Sequence, residues 1–454
     1  MPASGSSPFA SFLNILRGAL PHRWQRARGC WTPVATMVAL VRLVVSGKGY
    51  RPLCQRMHGE LGNLFGTLPL YASAFSQARQ RLADRPALLG QAFKAVYTHA
   101  ATARRTRSVT YGAYTLIALD GTNIPLQSVP SLLRHFGAPR NQHGPSAAPH
   151  ALVCVAWDVG ANQPVDYALA ASTCGELTVS KPLLERMPDA ALVIADRLYA
   201  NRHVVADLIC SGRQLLIRAP AGSNAMLEVQ AFVASGQEDA VVSLGCFSHK
   251  DPDRYAQDDA VQVRLIRGLD ADHVYITSLI AAQEHPREAL LALYAKRWRI
   301  ETAFRELKFW TNLTSIRARS PLFVEQEVVA ILIYALLLSE LDAMALEVYR
   351  GEIAQEQLVT PAECPPRTHT RGKAPLRLRQ NVVRFNRACA CTSVEMIITA
   401  AVVGDHDQLR RHIAAAIVGL WQYRVRVKPG RSYPRISTRP HSKWNRLRER
   451  PTVS

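Results

Sequence analysis

The sequence predicts an α/β protein with a largely buried mixed sheet, preceded by a helical segment and followed by a helical, basic one. Four short, apolar, β-prone runs alternate with helical patterns in the middle of the chain, as expected for strands buried on both faces of a sheet. The 454 residues are 48% hydrophobic and 20% charged. That length and composition support several folded units rather than disorder.

The predicted elements divide the chain into five segments. Residues 1–107 are helical and basic, with Arg79 and Arg81 near the start of a helical stretch. Such a segment is typical of a DNA-binding domain and, equally, of a helical cap on a larger domain. The remaining segments are a first part of the sheet core at 108–220, a β-rich insertion at 221–285, a second part of the core at 286–345, and a helical region with a basic tail at 346–454.

Two aspartates directly follow apolar strand candidates. Asp120 follows the run 114–119, and Asp196 follows the run 190–195. Strand ends in a mixed sheet let polar side chains emerge from a rigid core into a cleft. An Asp in this position before Gly-Thr is also typical of a turn, so the pair alone leaves both interpretations open.

The charge of the chain indicates a polyanionic partner. Lys and Arg total 55 against 35 Asp and Glu, a net charge of +20. Residues 424–454 alone hold ten basic residues and one acidic residue, which is typical of an arm that follows a phosphate backbone or of a solvated tail. By charge alone, an RNA-binding, ribosomal or membrane-surface protein fits equally well.

Other classes of protein fit the sequence less well. The nine cysteines contain no CxxC pair, which argues against a zinc site or a disulfide framework and favours a reducing compartment. The N-terminus does not resemble a signal peptide. The most apolar helix candidate, 328–338, is shorter than the roughly 18 residues that cross a bilayer, so we predict a buried core helix and no membrane partner.

A long helix is predicted over 287–310, and one edge of it carries four side chains able to take part in catalysis or in phosphate binding. With about 100° per residue, Tyr294, Arg297, Glu301 and Lys308 fall within one arc of about 60°. Apolar residues in the adjoining sector would bury the helix against the sheet. The competing interpretation is a solvated face, because Arg297 and Glu301 have the spacing of an ordinary ion pair.

The same residues resemble the signature of a known family. The spacing Tyr294-x2-Arg297-x3-Glu301-x6-Lys308 is similar to the YREK signature of DDE transposases of bacterial insertion sequences, the insertion-sequence-four-like group. Asp120 in LDGTNIPL resembles the first catalytic Asp of that family, and Asp196 in IADRLYANRH resembles the second. The likeness extends from about residue 75 to the basic tail. Leu198 departs from the pattern, because a Gly is frequent there.

The resemblance implies an RNase H-like fold with a β insertion between the second Asp and the Glu. It implies that Asp120, Asp196 and Glu301 are catalytic and hold Mg²⁺, with Mn²⁺ as substitute, in a pair of ions. Tyr294, Arg297 and Lys308 would contact DNA phosphates. The implied partners are double-stranded DNA, at the transposon ends and the target, and a second copy of the chain in a synaptic homodimer.

The implied activity is cut-and-paste transposition in the bacterial cytoplasm, in association with the nucleoid. Two alternatives stay open on the sequence. One is a nuclease on the same fold that does not join strands, and the other is a non-catalytic DNA-binding protein derived from a transposase.

Overall fold

A computed structural model gives the architecture of most of the chain. It describes residues 8–24, 30–46, 49–60, 70–104, 110–141, 144–146, 148–220, 222–245, 260–268, 273–353 and 383–426. Most of the predicted basic tail lies outside the described residues.

The helices flank the sheet in the chain order that the sequence predicts. Their bounds are α1 Pro8–Ala19, α2 Pro33–Ser46, α3 Tyr50–Glu60, α4 Ala72–Ala83, α5 Ala87–Arg104, α6 Pro130–Phe136, α7 Glu176–Glu185, α8 Arg202–Cys210, α9 Leu227–Ser235, α10 Arg287–Tyr294, α11 Trp298–Trp310, α12 Pro321–Val348, α13 Arg387–Val403 and α14 His406–Gln422.

The strands include all four of the predicted core runs. Their bounds are β1 Thr110–Tyr111, β2 Tyr114–Pro125, β3 Arg140–Asn141, β4 Gly144–Pro145, β5 His150–Asp158, β6 Gln163–Ala171, β7 Ala191–Ala195, β8 Gln214–Arg218, β9 Asp239–Leu244, β10 Val261–Arg267, β11 Val274–Thr277, β12 Val383–Arg384 and β13 Val425–Arg426.

The central sheet is mixed and has the order β6-β5-β2-β7-β8-β11-β10-β9, with β1 paired to β2. Strands β2, β5 and β6 form an antiparallel meander. Strands β7 and β8 run parallel to β2. The first five strands therefore lie in the order 3-2-1-4-5, which is the RNase H-like arrangement, and the predicted fold class is confirmed.

The two faces of the sheet pack against different sets of helices. Along β2, Leu116 and Ala118 belong to a core cluster that includes α11 and α12, whereas Ile117 and Leu119 belong to a second cluster with α7, α8 and α9. Successive strand residues point to opposite faces. The sheet is therefore covered on both sides, which explains why its central strands are almost continuously apolar.

Three local features add to or correct the predicted elements. The described residues of the predicted β-rich insertion, 221–285, form β9, β10 and β11, and these strands continue the central sheet beyond β8. Within the region predicted to be helical at 346–454, Val383–Arg384 form the short strand β12, and the helix that follows begins at Arg387. The long helix expected over 287–310 is interrupted by a 3₁₀ turn at Ala295–Arg297, so a single helical wheel does not describe it.

Helix α12 is the longest helix among the described residues, and several other helices pack against it. It has 28 residues and, by length and composition alone, could cross a membrane, but 89% of its most apolar window is buried inside the fold. Its N-terminal half contacts α4 through Arg79, whose side chain is fully buried. The segment with Arg79 was expected to be either a DNA-binding domain or a helical cap; Arg79 is a core residue, because its guanidinium is enclosed by Gln326, Glu327 and Tyr50.

Candidate catalytic site

Asp120 lies inside strand β2 rather than after it. The strand begins at Tyr114 and continues to Pro125, because its partner β5 stays paired with it along its whole second half. Asp120 has the same parity as Leu116 and Ala118, which face the helical layer around α11 and α12. The carboxylate is therefore expected on the face of the sheet that α11 covers.

Asp196 comes directly after Ala195, the last residue of the neighbouring parallel strand β7. Ala118 of β2 pairs with Ile194 of β7, so continuing the register by two residues brings Asp120 beside Asp196. Adjacent strands are about 4.8 Å apart. Asp196 also caps the 3₁₀ turn Arg197–Tyr199, where its Oδ1 accepts a hydrogen bond from the Leu198 amide at 2.8 Å.

The Asp120 carboxyl group is largely buried and lies near two other carboxylates. Burial and then the charge of Glu176 raise its pKa, with a further contribution from Asp196, to about 7. The guanidinium of Arg297 and the Gly121 amide, which donates to Asp120 Oδ1 at 2.9 Å, act in the opposite direction on this pKa. The cations and amides around Asp120 therefore leave its negative charge incompletely compensated.

Glu301 is paired with Arg297 on the helical side of the site. Arg297 Nη2 donates to Glu301 Oε1 at 2.7 Å, one helical turn apart. The Arg297 residue is only 9% exposed, and its Nε has no hydrogen-bond partner among the described residues. The ion pair predicted as the competing interpretation is thus formed, but it is mostly buried and close enough to Asp120 to affect its pKa.

Tyr294 and Lys308 lie on either side of this pair. The Tyr294 side chain is buried, and its hydroxyl donates to the carbonyl of Ala195 at 3.2 Å, the residue before Asp196. Burial raises the pKa of Tyr294 to about 12. Burial lowers the pKa of Lys308, and the charge of Asp120 opposes that shift.

The structure thus places five of the six predicted residues around Asp120 and Asp196, close enough for their charges or hydrogen bonds to act on one another. Asp120 is coupled to Asp196, Arg297 and Lys308, and Tyr294 contacts the end of β7. Glu301 joins the group through Arg297.

The donor set suits a hard divalent cation in its chemistry. Mg²⁺ takes carboxylate oxygens and keeps several of its waters, so few protein ligands suffice. The uncompensated charge at Asp120 is the kind that such an ion would neutralise. Within the described part of the chain, no three His, Cys, Asp or Glu side chains are already clustered as a ligand set, in keeping with the engagement of Glu301 by Arg297.

A fourth carboxylate at this site was not predicted from the sequence. Glu176, the first residue of α7, is the charged group with the largest effect on the pKa of Asp120. Its own pKa is raised by burial and by Asp196, and lowered by hydrogen bonds from Tyr199 and the Gly121 amide. In the sequence, a Glu that opens a helix indicates only a favourable interaction with the helix dipole.

Comparison with known proteins gives two matches. The family described as "Transposase DDE domain" matches residues 111–337, a range that contains all six predicted site residues. A transposase for the insertion sequence element IS4 of Escherichia coli (strain K12), named InsG, is 25% identical to the chain over 279 residues. The aligned part covers 59% of this chain and 60% of that relative, so the likeness spans about three fifths of the relative's length.

Proposed function

The chain belongs to the transposase DDE domain family, and from that premise we propose that it cuts DNA at the ends of an insertion sequence and joins those ends to target DNA. The observation that carries the proposal is the placement of Asp120 within β2 and of Asp196 directly after the parallel neighbour β7, on the face covered by the helix that bears Glu301.

In this proposal Asp120, Asp196 and Glu301 bind two Mg²⁺ ions, with Mn²⁺ as substitute. Bound ions would lower the pKa of the attacking water or 3′-hydroxyl and neutralise charge at the leaving oxygen. The chain's own contribution is to hold these carboxylates on two rigid strands and one packed helix, where their positions vary little.

Arg297 exchanges partners when DNA binds. A phosphate can accept two parallel hydrogen bonds from a guanidinium, and the Arg297 Nε is already free of a partner among the described residues. A phosphate that takes Arg297 releases Glu301 from its ion pair. Glu301 is then free to join the two aspartates, so DNA binding completes the cation site.

Lys308 and Tyr294 support the same end of the DNA in different ways. Lys308 is half-buried and close to Asp120, so its ammonium suits a point contact with a phosphate next to the cut. The Tyr294 hydroxyl is occupied by the Ala195 carbonyl. Its contact with a phosphate therefore requires a rearrangement at the turn Ala295–Arg297.

The proposed partners follow from charge and from the reaction. A net charge of +20 favours double-stranded DNA, which releases counterions when it binds. Residues 1–107 and 346–454 would flank the sheet core as DNA-binding regions, and two copies would meet in a synaptic homodimer because two ends are cut together. The site of action would be the nucleoid in the bacterial cytoplasm.

The deciding experiment uses DNA from the flanks of the protein's own gene, with Mg²⁺ and a supercoiled target. We expect cleaved ends and joined product from the wild-type protein. Asp120→Ala, Asp196→Ala and Glu301→Ala should each reduce cleavage at least about a thousandfold while DNA binding persists. Asp189→Ala, whose side chain is fully exposed, is the matched control.

The same assay separates the alternatives. Nicked DNA without joined product would indicate a nuclease on this fold, and bound DNA without cleavage would indicate a non-catalytic DNA-binding protein. Undiminished cleavage by any of the three Ala variants would reject the assigned site.

A further inference from the structure

Glu176 lies against the residue that follows Asp120. Glycine at position 121 leaves room for the Glu176 side chain: a Cβ added there would come within 2.7 Å of Glu176 Cδ and 2.9 Å of its Oε2. Such distances are far shorter than van der Waals contact, so the Glu176 carboxyl group occupies the space above Gly121. It packs on β2 immediately beside Asp120.

The other side of Glu176 contacts the turn that follows Asp196. The Tyr199 hydroxyl donates to Glu176 Oε1 at 2.8 Å, and Tyr199 is the last residue of the 3₁₀ turn that Asp196 caps. Tyr199 is 1% exposed, and its hydroxyl also lies 2.9 Å from the Oγ of the fully buried Ser180 on α7. The Tyr199 ring is therefore fixed, and its hydroxyl oxygen with it.

The backbone ladder alone does not fix the two aspartates relative to each other. The recorded pairs between β2 and β7 end at Ala118 and Ile194, two residues before the aspartates. Beyond that point β7 stops while β2 continues. Two like-charged carboxylates in this position repel each other, so an added connection is needed to hold them close.

We propose that Glu176 and Tyr199 form a brace that sets the position of Asp120 relative to Asp196, and that both are positioning residues for the cation site. The inference rests on the proposed function of the two aspartates and assigns roles to residues outside the predicted set. The brace connects β2 to the turn after β7 from the opposite face of the sheet, where it does not obstruct DNA.

The choice of a carboxylate supports this role. Glu176 packs beside Asp120 and contacts the turn that Asp196 caps, and carboxylates this close repel one another when no cation is present. An amide or an apolar side chain would pack at less cost, and a site that sacrifices stability for a constellation of like charges is typical of function. With a cation bound, the same charge adds to the attraction.

The test measures cation affinity in the DNA-free protein. Mn²⁺ binding is followed by the loss of the free-ion electron paramagnetic resonance signal in the wild type, Glu176→Ala, Glu176→Gln and Tyr199→Phe. We expect Glu176→Ala and Tyr199→Phe to weaken Mn²⁺ binding about tenfold. We expect Glu176→Gln to recover part of the loss, because its amide oxygen still accepts from Tyr199. Glu185→Ala, exposed at the other end of α7, should bind as the wild type does.

Thermal unfolding in EDTA separates positioning from simple packing. A brace predicts that Mn²⁺ affinity falls while the unfolding temperature of Tyr199→Phe stays within a few degrees of the wild type. It also predicts that kcat for cleavage falls more than KM for DNA rises. Tyr199→Phe removes a single oxygen atom, so it can still test whether the brace positions the aspartates if Glu176→Ala does not fold.

Two results would overturn the inference. One is unchanged Mn²⁺ affinity in both folded variants, and the other is a loss of affinity that only follows a loss of stability. Failure of the wild-type protein to cleave DNA in the presence of Mn²⁺ or Mg²⁺ would instead reject the proposed function, and the brace with it.

Discussion

At the residue scale, Arg297 links the acidic and helical halves of the site. Its positive charge opposes the rise in the pKa of Asp120, and its Nη2 donates to Glu301 at 2.7 Å. The guanidinium also lies over the rings of Tyr294 and Trp298. Under the proposed function, Arg297 would pair either with Glu301 or with a DNA phosphate, and it would thereby couple the binding of cation and of DNA thermodynamically. Such coupling is reciprocal.

Arg297→Gln should therefore change cation binding in the DNA-free protein. Loss of the guanidinium frees Glu301 and removes a positive charge near Asp120, so we expect Mn²⁺ to bind about tenfold more tightly, or about 1.4 kcal/mol. The increase in Mn²⁺ affinity that end DNA causes in the wild type should shrink by a similar factor. Calorimetric titration with and without DNA measures both quantities.

Arg305→Gln is the control for this prediction, because Arg305 is exposed on the same helix. Equal Mn²⁺ affinities in Arg297→Gln and the wild type would show that the ion pair does not compete with the cation.

At the element scale, α4 and α12 are joined by a buried polar network. Arg79 donates to Gln326 Oε1 at 2.9 Å, to Glu327 Oε1 at 3.1 Å and to the Phe323 carbonyl at 3.0 Å. The second carboxylate oxygen of Glu327 accepts from the Arg317 amide at 2.9 Å. The network is well satisfied, so removing one member leaves buried polar groups without partners.

Arg79→Met should lower the free energy of unfolding by about 3–5 kcal/mol, because it leaves the Glu327 carboxylate buried without its cationic partner. Adding Glu327→Gln should recover part of this loss, since the unpaired charge is then gone. Urea unfolding followed by circular dichroism gives the comparison, with Arg81→Met on the same helix as the control. A loss below about 1 kcal/mol in Arg79→Met would contradict the account.

Elements with a strong local pattern could be predicted, and those set by distant contacts could not. The apolar runs that became β5, β7 and β8 are recognisable because both of their faces are buried. The turn at Ala295–Arg297 directly follows Tyr294, whose hydroxyl contacts Ala195, a residue far away along the chain. The role proposed for Glu176 could not be predicted for the same reason, since it depends on the packing of α7 against Gly121.

At the scale of the whole molecule, positive charge is unevenly distributed along the chain. Of the net +20, the tail over 424–454 carries +9. Each cation that pairs with a phosphate adds about 0.9 to the slope of log affinity against log salt concentration. The tail is therefore expected to govern how strongly DNA binding responds to salt.

Replacing the ten basic tail residues by Gln should reduce the salt slope of DNA binding by at least about 3, the value for three to four lost phosphate contacts. Length and helical core stay the same in this variant. Fluorescence anisotropy between low and physiological salt measures the slope, and Arg305→Gln, a single exposed cation, should change it by no more than about 1. A slope equal to that of the wild type would mean that the tail does not contact DNA.

The absence of a side chain at Gly121 has a consequence for inheritance. Every missense change of a glycine codon adds at least one carbon atom, and here that atom would enter space that Glu176 fills. Even alanine, usually the mildest replacement, would displace a carboxyl group at this position. In a set of gene copies that drift apart, we therefore expect copies altered at this codon to encode folded proteins that no longer mobilise their own DNA.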